Sequence, residues 1–292
     1  MDIIRRNKKY IIAGLGPALI IYMLFVIIPI FRSFYYGFMD WNGIGVAKYI
    51  GLENFKQILV DPYFWKSFKN NIYVVIASIL GQIPIALVLA IILSRKLKGV
   101  KFFRTVYFLP MVVSTVVVAL LWSNIFNSQI GILNNFLKFI GLKSLAQNWL
   151  GNPKIAIFSA CIPIIWQFVG LYFIIFLAAI QNISESLFEA AEIDGATETQ
   201  KFMSITFPML WDTIKVAVVL CISGSMKAFD LIYVMTGGGP GRSTELMAIY
   251  MYNKTFTVYK YGYGSAVSLV IFVISLFFIL LSQKLMKTKD VV

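Results

Sequence analysis

Few residues in this chain are suited to chemistry. Histidine is absent from the 292 residues, which removes imidazole acids, bases and metal ligands together. Cys161 and Cys221 both sit in apolar runs, so neither a zinc cluster nor a disulfide framework is expected. Residues 237–244, Gly-Gly-Gly-Pro-Gly-Arg-Ser-Thr, have the glycine content of a phosphate loop without its spacing. No glycine there is followed five residues later by Gly-Lys, and Arg242 stands in place of the lysine. ATP binding by this chain is rejected on that ground. Trp166, Gln167 and Tyr172 pair aromatic faces, which stack on sugar C–H surfaces, with an amide that bonds hydroxyls. Ser223 and Phe229 extend the same chemistry, and these five residues form the candidate substrate pathway; the plainer reading is ordinary helix packing. Lys227 and Asp230, three apart, either line such a path or form a structural ion pair.

The elements that must position these residues belong to lipid. Apolar residues make up 59% of the chain and charged residues 13%, where a soluble protein carries roughly a quarter charged. Mean hydropathy is +0.81. A bilayer-crossing helix needs about 20 mostly apolar residues. Uncharged runs at 10–31, 70–94, 105–137, 155–184 and 261–283 supply five such helices. A sixth, near 213–235, contains Lys215, Lys227 and Asp230. The expected spans are about 10–31, 72–94, 105–126, 155–180, 213–235 and 264–285. The predicted fold class is therefore all-α, an integral membrane protein with six transmembrane helices in one domain over 10–285. Runs this continuously apolar do not fit alternating barrel strands. The first run is too long for a signal-peptide core and lacks a small-residue cleavage site, so it reads as a retained anchor.

The net charge of +13 is concentrated in short connections. Arg5, Arg6, Lys8 and Lys9 precede the first span. Arg95, Lys96, Lys98, Lys101 and Arg104 follow the second, and Lys284, Lys287 and Lys289 close the chain. By the positive-inside rule all three clusters are cytoplasmic, giving a cytoplasmic N-terminus at 1–9 and a cytoplasmic tail at 286–292. Basic residues placed this way argue for membrane topology, not for nucleic acid.

One connection departs from that pattern. Residues 181–212 hold Lys201 against six acids: Glu185, Glu189, Glu192, Asp194, Glu198 and Asp212. Ser186 to Glu189 reads as a capping box, and Thr197 to Gln200 as a second. Gly195 is suited to end the first short helix in the left-handed conformation, and Pro208 is expected to stop the second before the fifth span. The expected result is two short helices with a bend at Asp194-Gly195. Helices this short need a partner to be stable.

Glu189-Ala190-Ala191, Asp194-Gly195-Ala196, Phe202, Ile205 and Pro208 resemble the EAA loop of permease subunits of binding-protein-dependent ABC importers. Phe207 stands where leucine is usual, and Thr199 where tryptophan is frequent. Gly51-Leu52-Glu53-Asn54-Phe55, Phe103-Arg104-Thr105, Leu109-Pro110 and 229–240 resemble the carbohydrate branch, related to maltose and glycerol-phosphate permeases. The resemblance implies that Glu189, Ala190, Ala191, Asp194, Gly195, Phe202, Ile205 and Pro208 couple the chain to an ATPase. It implies a second homologous permease subunit, two ATP-binding subunits that hold the ATP and Mg, and an extracellular substrate-binding (lipo)protein. It implies import of a sugar or oligosaccharide across a bacterial cell membrane by alternating access, with no enzyme activity in this chain. An ion-coupled secondary transporter is the competing reading. It would need intramembrane acids, and only Asp230 is available. A membrane-embedded enzyme would need a clustered nucleophile or metal set, which the sequence lacks.

Overall fold

A computed structural model describes residues 8–94 and 99–287, with side chains from residue 14 onward. Arg5, Arg6, Arg95, Lys96, Lys98 and Lys289, and the side chains of Lys8 and Lys9, lie outside the described residues, as do most of the N-terminal and C-terminal segments assigned to the cytoplasm. Among the described residues, five helices are long and apolar enough to cross a membrane, or six if one bent pair counts as a span. The protein is an all-α, multi-pass membrane protein. The backbone divides into two units, 1–61 with 251–272 and 62–250 with 273–292.

In the first unit, helix α1 (Gly14–Tyr36) runs through a π turn at Met23–Ile27. It extends five residues beyond the run expected to end at residue 31, because Arg32 is tolerated where the helix leaves its apolar stretch. None of its apolar window is buried. A two-residue antiparallel pair, β1 (Met39–Asp40) and β2 (Lys48–Tyr49), comes next, and then the amphipathic helix α2 (Glu53–Val60). Asn54 holds the connection, donating from Nδ2 to the carbonyls of Gly37 at 3.0 Å and Met39 at 2.9 Å. Trp41 stacks on Tyr36 with ring centroids 4.4 Å apart.

The second unit begins with α3 (Pro62–Ser94). Next come α4 (Val100–Val112) and α5 (Thr115–Ile125), bent by 97° at the two residues between them. The third span is thus not one straight helix over 105–126. Val113 and Ser114 are extended, a few residues after Pro110, whose ring removes a helix donor. Helix α6 (Ile132–Phe139) leads to α7 (Ala156–Gln181). The short α8 (Glu185–Ile193) precedes α9 (Glu198–Met226). Helices α10 (Asp230–Thr236) and α11 (Met247–Tyr252) lead to α12 (Tyr261–Leu285), which continues from the first unit into the second.

Two apolar clusters hold the second unit. One joins Ala86, Ala90 and Leu93 of α3 to Phe173 and Phe176 of α7 and to Leu210 and Ala217 of α9. The alanines are fully buried, and small side chains let helix backbones approach when lipid supplies no hydrophobic drive. Gly170 allows such an approach: a Cβ there would collide with the carbonyl oxygen of Tyr107 on α4. The second cluster gathers Val74, Val118, Ala160, Ile164 and Leu231 around α7.

Candidate coupling loop and pathway cavity

The connection between α7 and α9 is a helix, a bend and a helix. Helix α8 starts after Ser184, two residues earlier than the Ser186 capping box proposed. Ser184 takes the N-cap position without a side-chain bond to a helix N–H, and its hydroxyl instead meets that of Ser186 in the first turn at 2.7 Å. The end of α8 is a Schellman motif. Ala196 N–H donates to the Ala191 carbonyl at 2.9 Å, and Gly195 N–H to the Glu192 carbonyl at 3.0 Å, with Gly195 at φ +74°. The second cap forms at Thr197, whose N–H donates to Gln200 Oε1 at 2.7 Å while Gln200 N–H donates back to Thr197 Oγ1 at 3.4 Å. Pro208 does not stop the helix. A π turn at Phe202–Thr206 widens the backbone so that Phe207 N–H reaches the Phe202 carbonyl. The proline then falls in the first turn of the regular α-helical stretch Phe207–Met226, where its missing donor does no harm. The second short helix is therefore the opening of α9.

Glu189, Ala190, Asp194 and Gly195 are exposed on this element, and Ala191, Phe202 and Ile205 are half-buried. Ile193 is 87% exposed and Leu187 44%. Lys201 stands under the bend, its side chain only 11% exposed, with Nζ 2.7 Å from Glu192 Oε1 across the bend and 3.1 Å from Glu198 Oε1 on its own helix. Behind the loop lies a cavity of about 930 Å³ lined by Lys101, Arg104, Glu185, Phe188 and Phe202.

The fifth span breaks. Helix α9 ends at Met226, and Lys227 to Phe229 are non-helical before α10 begins at Asp230. A continuous span over 213–235 is thereby corrected; Ser223, Gly224 and Ser225 weaken the helix just before the break. The break also removes the helical register that would pair Lys227 with Asp230, and no ion pair joins them among the described residues. Both line a cavity of about 320 Å³ together with Gln82, Tyr172, Ser225 and Phe229. Cys221 Sγ is 3.7 Å from Gln82 Oε1 within it.

Of the five proposed pathway residues, Tyr172 and Phe229 line this cavity and the other three do not. Gln167 is buried and donates from Nε2 to the Val113 carbonyl at 3.3 Å and Thr115 Oγ1 at 3.2 Å, so its amide serves the bend between α4 and α5. Trp166 packs edge-on against Trp122 at 5.9 Å, and Ser223 is half-buried elsewhere.

Sequence reasoning missed Gln82 and the asparagine pair Asn70–Asn71. Asn71 is fully buried. Its Nδ2 donates to the Ser225 carbonyl at 3.0 Å, and its Oδ1 accepts from Met247 N–H at 2.8 Å. Asn70 donates to the Glu245 carbonyl at 3.0 Å and Lys66 to the Gly241 carbonyl at 2.8 Å. Arg242 lies over the Tyr63 ring at 4.1 Å and pairs with buried Glu245 at 3.6 Å. The glycine-rich segment is thus fastened to the first turns of α3. Buried amides at the head of an otherwise apolar run were the available signal.

Residues 82–287 match the family described as binding-protein-dependent transport system inner membrane component. The chain is 38% identical over 288 residues to the probable ABC transporter permease protein YurN of Bacillus subtilis, covering 98% of each. It is 32% identical to the multiple sugar-binding transport system permease protein MsmF of Streptococcus mutans, again over 98% of each. Its fold is similar to a chain in the crystal structure of a bacterial alginate ABC transporter in complex with an alginate pentasaccharide-bound periplasmic protein, with a TM-score of 0.85, 25% identity and 98% of each chain covered.

Proposed function

The chain belongs to the family of binding-protein-dependent transport system inner membrane components, and from that premise we propose that it is one permease half of an ATP-driven importer for a sugar or oligosaccharide. The observation that carries the reading is the locally capped bend at Gly195, which exposes Glu189, Ala190 and the apolar Ile193 on a helix too short to be stable alone. Such a surface suits the cleft of a partner ATPase. The carbohydrate assignment rests on relatives such as MsmF and on the alginate transporter.

In this reading a second homologous permease completes the path. Two ATP-binding subunits sit below and hold the ATP and Mg, and an extracellular binding protein delivers the substrate. Both termini and the 181–212 loop face the cytoplasm of a bacterial cell. Closure of the ATPases moves α8. The bend hands that motion to α9, and the break at 227–229 lets α10 and the outer loop respond while the cavity changes its side of access. Tyr172, Phe229 and Gln82 offer the stacking faces and amide a sugar requires, and Lys227 and Asp230 offer a donor and an acceptor for hydroxyls. Hydrolysis belongs to the partners, so this chain is not an enzyme.

Proteoliposomes containing both permeases, the ATPases and the binding protein test the proposal. The expected result is sugar uptake that requires ATP inside and binding protein outside. Uptake by this chain alone, driven by an ion gradient and indifferent to ATP, would replace it with the secondary-transporter reading.

A further inference from the structure

We infer that Lys201 is a positioning residue that sets the angle of the coupling bend, acting through its contact with Glu192. Among the described residues, one backbone bond crosses Gly195, from Ala196 N–H to the Ala191 carbonyl, and no main-chain bond joins α8 to residues 197 onward. The Schellman bonds fix Gly195 itself, but a Cβ there would meet nothing within 4 Å, so no packing at that residue carries the direction of α9 relative to α8. Lys201 does reach across. Its Nζ meets Glu192 on α8 at 2.7 Å, the shorter of its two carboxylate contacts, while Glu198 holds the ammonium from its own helix at 3.1 Å. The lysine stem is largely buried, which restricts the head to this position; both carboxylates are about two-thirds exposed. An exposed ion pair adds little to stability. A pair that spans a hinge still changes what the hinge transmits, because a push on α8 turns α9 only while the angle between them is kept.

This inference rests on the importer reading, and the test separates the two. The complete transporter is assembled in proteoliposomes with wild-type chain, Lys201→Met, Lys201→Arg, Glu192→Gln and Glu198→Gln, and sugar imported per ATP hydrolysed is measured for each. Lys201→Met and Glu192→Gln are expected to lower that ratio by about five-fold or more, with hydrolysis continuing. Lys201→Arg restores most of it. Glu198→Gln, which weakens the Lys201 contact within one helix and leaves the contact to Glu192, keeps the wild-type ratio. A general effect of charge or stability would move the two glutamate variants alike. A wild-type ratio in Glu192→Gln, or an equal fall in Glu198→Gln, overturns the inference. If Lys201→Met fails to assemble, the glutamate pair decides by itself. Absence of ATP-dependent uptake in the wild-type transporter would instead count against the importer reading.

Discussion

At 194–201 the chain turns through Gly195, and the side-chain bonds that fix the turn come from residues no more than nine positions apart. At 237–245 it turns through Gly237 at φ +59°; local bonds hold that turn as well, with Thr244 Oγ1 2.7 Å from Thr236 Oγ1 and 2.8 Å from the Gly239 carbonyl, but Lys66, Asn70 and Asn71, between 154 and 176 residues away, also bind the turn and its flanks. Both bends border the fifth span. One carries its own geometry in a short local stretch and leaves its outer face bare. The other adds to its local bonds a fastening to a different helix. A local bend of this kind is suited to being pushed as a unit by something outside the chain. A bend fastened from α3 moves only when α3 or the broken end of α9 moves with it.

The sharpest way to break this comparison is Asn71→Leu. It strands a buried carbonyl at Ser225 and a buried N–H at Met247, each worth about 1–3 kcal/mol when left unpaired. Thermal unfolding in detergent should show a loss of about 3 kcal/mol; a loss near zero would mean the outer bend is as self-sufficient as the inner one. Gly195→Leu comes next. The left-handed backbone there strains an L-residue by about 1–2 kcal/mol, while space for the side chain is open. The expected outcome is normal insertion with ATP hydrolysis uncoupled from transport, and Gly195→Asn should behave closer to wild type because asparagine tolerates that conformation. Substrate-stimulated ATPase activity that is normal in Gly195→Leu would remove the inner bend from the mechanism. Thr197→Ala should cost about 1 kcal/mol through the lost cap, read as faster amide exchange confined to the start of α9. Arg242→Ala removes a ring contact worth about 0.5–1 kcal/mol together with the ion pair to buried Glu245, and faster amide exchange should be limited to the outer loop.

The same contrast divides the features legible in the sequence from those that were not. The six apolar runs needed only length and composition, because lipid admits few backbone solutions. Gly195 and the Thr197 cap were legible because each depends on residues three or four positions away. The Ser186 cap was misplaced by two residues because Ser184 offers the same side chain and the helix took the earlier start. The fate of Pro208 was not legible, since a π turn is a cooperative adjustment of five residues and leaves no composition signal. Breaks at Ser114 and Lys227 depend on Gln167 and Asn71 arriving from other helices to satisfy freed carbonyls. For that reason the sequence showed only one use for the Gln167 amide, whose Nε2 also serves the backbone at the bend. Tyr172 and Phe229 line one cavity with Gln82, which lies on a helix whose apolar run gave no reason to single it out.

Helix α1 has one last consequence. From Gly14 onward its apolar window has no buried side chain within the chain. Before Ser33, Phe34 and Tyr36, which meet Ser268, Phe272 and Trp41, its apolar residues therefore add little to how this polypeptide holds itself together, since hydrocarbon tails welcome a leucine as readily as another leucine does. Selection on those positions must come from the company the helix keeps in the bilayer. A tolerance map drawn along it would chart its surroundings, with the fold itself leaving scarcely a mark.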